Sequence, residues 1–346
     1  EMDQTDPEAL DHAYLETYTH DYAAYRELVE ATPWEDIVAQ SGVSRGQIMQ
    51  LTNLYRESGK TVISWCLGVT QHEHGVDAVR EIVNVLMLRG NMGKGGVGPS
   101  PVRGHSNVQG NRTCGIDHRP TQDILDTLDR VCGITSPREH GLDTVSSIEA
   151  MQEGRVRVFV SMGGNFVRAV PDPDYTERAM RKLDLNVQVS TKLNRSHIVV
   201  GRTSLILPCL GRTEKDVQAS GEQCVSVEDA MAMVHHSYGM KRPASPHLKS
   251  EMAILGGMAR ATLPDSPTPY EAYVDDYDAI RDVMAQVLPG FEDFNRRVRL
   301  PTGFRIHQPA RELDYSKTST GRANFSTAPL PQVEPCLLYT SPSPRD

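Results

Sequence analysis

The sequence has few large aromatic residues and no long apolar run. Its 346 residues include two tryptophans and six phenylalanines. No stretch approaches the 18 or more consecutive apolar residues of a membrane-spanning helix, so we expect no membrane span. The formal net charge of −9 argues against a nucleic-acid-binding protein, because such proteins are normally basic. A local anion site is compatible with this charge.

The cysteines are few and widely separated. They are Cys66, Cys114, Cys132, Cys209, Cys224 and Cys336. No two lie within three positions of each other, which excludes a CxxC motif, a zinc ribbon and an iron–sulfur run. This usage, together with the absence of a signal-peptide pattern, predicts reduced thiols in a cytoplasmic protein.

The two ends predict an internal piece of a larger multidomain protein. The opening residues, Glu1-Met2-Asp3, are typical of mid-domain sequence, and residues 331–346 form a Pro/Ser-rich segment expected to be a disordered or artefactual tail.

Helical and strand-like segments alternate between these ends. Apolar spacing predicts helices over residues 34–59, 77–89 and 174–183, and short apolar runs predict strands over 61–67, 156–161, 185–190 and 204–208. This alternation predicts an α/β protein with doubly wound, mostly parallel sheets and helices on both faces. Ligands in such folds bind beyond the carboxyl ends of the strands. We further expect His235 and His236 to lie in a helix, and the acidic cluster 273–278 to form a solvated helix face.

A glycine-rich stretch over residues 89–112 is the most unusual feature of the sequence. Four cations, Arg89, Lys94, Arg103 and Arg112, lie in it, and no Asp or Glu occurs between residues 81 and 117. Glycines let backbone N–H groups approach a ligand closely, and such groups favour anions. The alternative is a long flexible surface loop.

Two more loops follow predicted strands. The first carries Gly163, Gly164 and Asn165, and the second spans residues 189–197. Between residues 185 and 213 there are four Lys or Arg residues and no carboxylate. Two such loops after neighbouring strands could bracket one phosphate-containing cofactor. His72 and His74 suggest a metal pair, but no third ligand lies at a familiar spacing.

Five short segments of the sequence occur in an order and spacing that resemble a known family. They are GVTQ at 68–71, RGNMGK at 89–94, PVRGHSNVQG at 101–110, MGGN at 162–165 and TSTGRANF at 318–325. The set resembles the molybdopterin oxidoreductases of the formate dehydrogenase alpha-subunit-like group, within the dimethyl-sulfoxide-reductase superfamily. The resemblance covers roughly residues 34–331. It implies that residues 1–105 are the C-terminal part of one α/β cofactor-binding domain, that residues 106–217 are a second, and that residues 218–330 form a mixed α/β segment leading to a C-terminal domain. One departure, CLGRTE at 209–214 where the family commonly has Trp-Gly-Glu, suggests a side branch.

The resemblance implies a cofactor of two molybdopterin guanine dinucleotides around one molybdenum, usually with a nearby [4Fe–4S] cluster. Arg103 then matches the arginine that orients the substrate, and His105 stands where formate dehydrogenases commonly have Gln. The cofactor-binding residues implied in the same way are Gln71, Asn107, Gln109, Gly163, Gly164, Asn165, Lys192, Asn194 and Ser196. No cysteine here matches the family's cluster motif or its metal-ligating Cys or selenocysteine.

The function implied is a cytoplasmic molybdenum oxidoreductase that transfers two electrons, with formate or a similar small molecule as substrate and a possible electron-transfer partner. The metal and pterins carry the redox chemistry, and the protein supplies orientation and charge. One alternative is a non-catalytic nucleotide- or pterin-binding module that uses the same loops. Another is a metallohydrolase built on His72, His74 and His105.

Overall fold

The computed structural model describes residues 6–105 and 107–332. Most of the predicted tail, residues 333–346, lies outside the described residues, as does Ser106. Within the described ranges no helix combines the length and the apolar character needed to cross a bilayer.

The helices are numbered in chain order. They are α1 His12–Tyr18, α2 Tyr22–Ala31, α3 Trp34–Ser41, α4 Arg45–Glu57, α5 Leu67–Thr70, α6 Gly75–Leu88, α7 Val108–Thr113, α8 Gln122–Cys132, α9 Thr144–Gln152, α10 Pro173–Met180, α11 Glu251–Thr262, α12 Tyr270–Asp275, α13 Tyr277–Val287, α14 Phe294–Val298 and α15 Pro309–Glu312. Three short 3-10 helices lie at Pro7–Ala9, Phe166–Arg168 and Arg195–Ile198.

The strands are mostly short. They are β1 Thr19–His20, β2 Val62–Trp65, β3 Gly98–Pro101, β4 Val158–Met162, β5 Leu185–Ser190, β6 Thr203–Pro208, β7 Val217–Gln218, β8 Gly221–Glu222, β9 Val225–Glu228, β10 Met233–Ser237, β11 Phe304–Arg305 and β12 Ala323–Asn324. The sheets β1–β12, β2–β3 and β4–β5–β6 are parallel, whereas β7–β8 and β11–β10–β9 are antiparallel. The predicted α/β class with mostly parallel strands is therefore confirmed.

The segment predicted as one helix over residues 34–59 is two helices. Gly42 ends α3 in the left-handed conformation, with φ of 67°, and its N–H bonds to the carbonyl of Val38. Ser44 and Gln47 then form a capping box that starts α4. The apolar spacing continues across this break, but a left-handed glycine followed by a capping box ends one helix and begins the next. The single-helix prediction is wrong for this reason.

The described chain forms two compact units. The first comprises residues 6–105 and 107–108 with 230–232 and 306–332, and the second comprises 109–229 with 233–305. In the first unit, β2 and β3 pair in parallel, and the apolar face of α6 contributes Leu86 and Met87 to the core. Both side chains are almost completely buried.

The second unit is built on the parallel sheet β4–β5–β6. One core cluster of this unit contains residues of α9 and α10 and the buried Val167, Leu183 and Val199, with Phe159 of β4 packed against it. The register pairs Met162 with Val189, and Ser190 with Pro208. The ends of the three strands therefore lie side by side at one edge of the sheet.

Two predictions for the second unit are wrong. His235 and His236 lie in strand β10, where they pair with β9, rather than in a helix. The cluster 273–278 is interrupted by Asp276, which caps α13, and Tyr277 is buried with its hydroxyl donating to Asp216. The acidic residues are adjacent in sequence to Tyr277, whose side chain is buried, so this segment contributes to the core and is not only a solvated helix face.

Candidate functional site

The first group of candidate residues lies at the carboxyl ends of β2 and β3. Trp65 pairs with Pro101, and the N–H of Val102 donates to the carbonyl of Trp65 over 2.8 Å. The loops after both strands therefore leave from the same edge. Gln71 ends the short helix α5 in one loop, and a methyl group added to Gly104 in the other loop would lie 3.5 Å from Leu67 Cδ1.

The start of the glycine-rich stretch is used for internal packing. Arg89 donates to the backbone carbonyls of Ala9 and Ser58, and its guanidinium lies over the ring of Tyr55. Asn91 is buried, and its Nδ2 donates to the hydroxyl of Tyr55 over 2.9 Å. These side chains hold neighbouring segments together, so the interpretation of residues 89–92 as an anion-binding loop receives no support.

The remaining cations of the stretch differ in their partners. Lys94 Nζ lies 3.9 Å from the carboxylate of Asp11, and Arg112 forms an ion pair of 2.6 Å with Asp117. Arg103 is exposed and forms no hydrogen bond or ion pair with the described residues. A guanidinium without any hydrogen-bond or ion-pair partner is available to an anion. Of the four cations, Arg103 has no such partner among the described residues, and it lies just beyond the end of β3.

The residues after Arg103 have different surroundings. His105 is exposed, and Asn107 has left-handed backbone geometry, with φ of 62°. Gln109 donates from Nε2 to Glu228 Oε1 over 2.8 Å, and its own Oε1 is buried without a hydrogen-bond partner among the described residues. The Gln109 amide nitrogen therefore has a structural partner in Glu228, which the sequence did not indicate. The side-chain carbonyl oxygen of Gln109 can still accept a hydrogen bond from a ligand.

The second group of candidate residues begins after β4. Gly163 and Gly164 both have left-handed backbones, with φ of 70° and 74°, and no atom lies within 4 Å of a methyl group added to either. The N–H of Gly163 donates to the carbonyl of Val189 over 2.8 Å. The loop is thus held at the sheet edge while its glycines leave open space beside the backbone. Such conformations are readily adopted by glycine.

Hydrogen bonds join this loop to the loop after β5. Asn194 Nδ2 donates to the carbonyl of Gly164 over 2.7 Å. The hydroxyl of Ser196, which is buried, donates to Asn165 Oδ1 over 3.0 Å and accepts from the N–H of Val167 over 3.1 Å. Five residues predicted from the sequence, namely Gly163, Gly164, Asn165, Asn194 and Ser196, therefore lie in one connected wall, which we call the cradle.

An ion pair fixes the outer side of the cradle. Arg195 donates to both carboxylate oxygens of Glu177 on α10, over 2.8 and 3.0 Å. These hydrogen bonds hold the pKa of the Glu177 carboxyl below its ordinary value. Lys192, on the same loop, is exposed and has no side-chain partner among the described residues. The loop therefore carries one cation that is held by an ion pair, Arg195, and one that has no partner among the described residues, Lys192.

The histidines do not form a metal site. The N–H of His74 donates to His72 Nδ1 over 3.2 Å. No group of three or more His, Cys, Asp or Glu side chains in the described ranges is placed to hold a metal ion. The metallohydrolase alternative built on His72, His74 and His105 therefore has no support from the geometry.

Comparison with known proteins adds relatives and a fold. No family model matches the chain. It is 47% identical over 325 residues to an uncharacterized oxidoreductase of Mycobacterium tuberculosis (strain ATCC 25618 / H37Rv), covering 94% of this chain and 42% of that protein. It is 44% identical over 335 residues to protein YdeP of Escherichia coli (strain K12), covering 97% of this chain and 44% of that protein. The chain thus spans less than half the length of these relatives.

The comparison also includes a more distant relative and one solved structure. A putative formate dehydrogenase of Bacillus subtilis (strain 168) is 26% identical over 216 residues, covering 60% of this chain and 22% of that protein. The structure of acetylene hydratase from Pelobacter acetylenicus matches 92% of this chain and 46% of its own, with a TM-score of 0.60 and 13% identity. This chain shares that fold. The predicted kinship with oxidoreductases agrees with the relatives' names, whereas the specific group within the predicted family stays a prediction.

Proposed function

We propose that this chain is the cofactor-binding part of an oxidoreductase that uses molybdenum bis-molybdopterin guanine dinucleotide, and that the whole enzyme oxidises formate or a similarly small anion. The observation that carries the proposal is the cradle, in which two loops after neighbouring parallel strands are joined by side-chain hydrogen bonds. The order of the five sequence motifs and the names of the relatives, oxidoreductases and formate dehydrogenases, support it.

The cradle residues fit a guanosine nucleotide. Gly163 and Gly164 leave room for a flat ligand to approach the backbone, since a methyl group added to either would have no atom within 4 Å. Lys192, on the loop that also carries Asn194 and Ser196, has an unpaired ammonium. A nucleotide needs open backbone, polar groups with fixed directions and a cation for its phosphates; the cradle provides the first two and Lys192 provides the third. We assign Asn165, Asn194 and Ser196 to shaping this wall.

The first unit supplies the groups that would meet the substrate. Arg103 is an exposed guanidinium that has no partner among the described residues. A guanidinium binds a carboxylate through two parallel hydrogen bonds, which fixes the orientation of the anion as well as its position. In this proposal Arg103 holds formate in this way. Gln71 and Asn107, on loops after β2 and β3, contact the pterin part of the cofactor.

His105, two positions after Arg103, is exposed at its loop. An imidazole is the side chain whose ordinary titration range lies nearest to neutral pH, so it can accept and release a proton during turnover. We assign His105 to taking up the proton that leaves the substrate. When bound, the molybdenum–pterin group would supply the two-electron redox chemistry of the reaction.

The proposal assigns the [4Fe–4S] cluster, the metal-ligating residue and the contact with an electron-transfer partner to sequence outside these 346 residues. The matched relatives are more than twice as long as the matched segment. The match therefore leaves room for such parts.

The experiment is the Arg103→Ala substitution in the full-length protein, assayed for formate oxidation and for molybdenum content. We expect turnover to fall at least 100-fold while molybdenum content stays near that of the wild type, because the lost guanidinium orients the substrate and does not hold the metal. The control is Arg80→Ala, an exposed arginine on α6 that pairs with Asp77.

Near-normal turnover by Arg103→Ala would contradict the substrate-binding role. A wild-type protein without molybdenum and without redox activity would favour the non-catalytic binding module instead.

A further inference from the structure

We infer that the loop after β6, residues 209–214, extends the cradle, and that Arg212 binds a phosphate of the nucleotide. This inference rests on the proposed function and names a residue that the family motifs do not include.

The loop leaves the same sheet edge as the cradle. The register pairs Ser190 with Pro208. The N–H of Cys209 donates to the carbonyl of Ser190 over 3.3 Å. A methyl group added to Gly211 would lie 3.9 Å from Thr191 Cγ2. The loop after β6 therefore lies beside the loop after β5, with Gly211 near Thr191, the residue that precedes Lys192.

Glu214 fixes the shape of this loop. Its two carboxylate oxygens accept the N–H groups of Gly211 and Ala244, each over 2.6 Å. These backbone hydrogen bonds hold the pKa of the Glu214 carboxyl below its ordinary value, so the group is ionised at neutral pH. The N–H of Leu210 also donates to the carbonyl of Lys249 over 3.0 Å. Arg212 is thus carried by a segment held on both sides.

Arg212 combines two properties: it lies on this loop, and its side chain has no partner among the described residues. Its side chain is exposed and forms no hydrogen bond or ion pair with the described residues. Arg195 and Arg157, in the same unit, pair with Glu177 and Asp184. Lys192 shares the unpaired state of Arg212. Arg212 directly follows Gly211, and Lys192 directly follows Thr191, so each loop carries an unpaired cation next to a residue near the other loop. The sequence from residue 185 to 213 contains no carboxylate, and the Glu214 carboxylate is taken by backbone N–H groups.

A phosphate is the ligand that this arrangement suits. A guanidinium on a rigid backbone can donate two parallel hydrogen bonds to phosphate oxygens, and a neighbouring ammonium adds a point charge. The pyrophosphate of a guanosine dinucleotide carries such oxygens next to the nucleoside that the cradle would hold. Glu214 acts as a positioning residue, since it contacts the loop backbone rather than the ligand.

Calorimetric titration of the 346-residue chain with guanosine diphosphate and with guanosine tests the inference. We expect Arg212→Gln to weaken binding of the diphosphate roughly 10- to 100-fold, the usual effect of losing a hydrogen bond to a charged group, and to leave guanosine binding unchanged. Arg212→Lys should recover part of the loss. The matched control is Arg202→Gln, because Arg202 is also exposed and unpaired among the described residues but precedes β6 at its other end.

The outcomes separate the two proposals. If the wild-type chain binds neither ligand, the nucleotide site fails and this inference fails with it. If the wild type binds the diphosphate and Arg212→Gln binds it as tightly as Arg202→Gln does, Arg212 has no role while the cradle stands. Because Arg202 and Arg212 are both exposed, we expect the two variants to have the same melting temperature as the wild type. Equal melting temperatures would show that neither substitution disturbs folding.

Discussion

Replacing Ser196 by alanine should destabilise the second unit by about 2 kcal/mol. The Ser196 hydroxyl accepts the N–H of Val167 and donates to Asn165 Oδ1. Val167 is completely buried, so without the hydroxyl its N–H loses its partner where water cannot replace it. A buried unsatisfied donor costs roughly 1–3 kcal/mol. Asn165 is half-buried and can turn to water, so it adds little to the loss.

The control is Ser190→Ala. The hydroxyl of Ser190 donates to the carbonyl of Lys192 over 2.7 Å in an exposed loop. Water can take over this hydrogen bond, so the expected change is within about 0.5 kcal/mol. Both substitutions therefore remove a serine hydroxyl near the end of β5, and they differ in whether the lost hydrogen bond is buried or exposed.

The assay must report on the second unit. Both tryptophans, Trp34 and Trp65, lie in the first unit, so their fluorescence follows the other half of the described chain. Amide hydrogen exchange of the β4–β5–β6 strands measures the opening free energy directly. In thermal unfolding, 2 kcal/mol corresponds to a drop of roughly 4–8 °C for a unit of this size.

Two results would refute this reasoning. One is a Ser196→Ala protein as stable as Ser190→Ala. The other is a double-mutant cycle of Ser196→Ala with Asn165→Ala that shows no coupling, since directly bonded residues normally couple by about 0.5 kcal/mol or more. Either result would mean that the two loops are not joined as the structure shows.

Two further predictions concern the core and the pH dependence. Leu86→Ala should lower the unfolding free energy of the first unit by roughly 2–5 kcal/mol, because Leu86 is fully buried. Leu51 is 67% exposed, so Leu51→Ala should change this free energy by less than about 0.5 kcal/mol. Tryptophan fluorescence during urea unfolding measures both changes, and equal effects would contradict the assigned core. The Glu214 carboxyl has a folded-state pKa below its ordinary 4.5, so its contribution to stability is present above that pH and is lost as the pH falls through the folded-state pKa. The stability difference between wild type and Glu214→Gln should therefore be largest near neutral pH and shrink in acid, and a difference that grows in acid would show the opposite sign of the shift.

The parallel strands could be predicted from the sequence because buried strands leave a local signal. Each is a short apolar run followed by a turn, and β5 has the predicted bounds, Leu185–Ser190. The break at Gly42 escaped the prediction because apolar spacing carries no information on capping. Strand β10 escaped it because the methionines near His235 suggested a helix face, whereas the pairing of β10 with β9 is a non-local contact.

The sequence predicted which residue types lie at the candidate site, but it did not predict which of the cations have hydrogen-bond or ion-pair partners. A surplus of cations could be counted in the sequence, but whether a guanidinium turns inward depends on carbonyls and carboxylates far along the chain. The guanidinium of Arg89 donates to the backbone carbonyls of Ala9 and Ser58, which lie 80 and 31 positions away in the sequence. Arg103 and Arg212 remain unpaired among the described residues. Tertiary structure decides this distinction, and it separates packing residues from candidate ligand-binding ones.

The most direct test of the central claim is the cofactor content of the full-length protein. Molybdenum is measured by elemental mass spectrometry, and guanosine monophosphate is measured after acid hydrolysis of the cofactor pyrophosphate. We predict molybdenum and guanosine monophosphate together, in a ratio of about one to two, as two guanine dinucleotides around one metal require. A pure, folded full-length protein that contains neither molybdenum nor a guanine nucleotide would contradict the account.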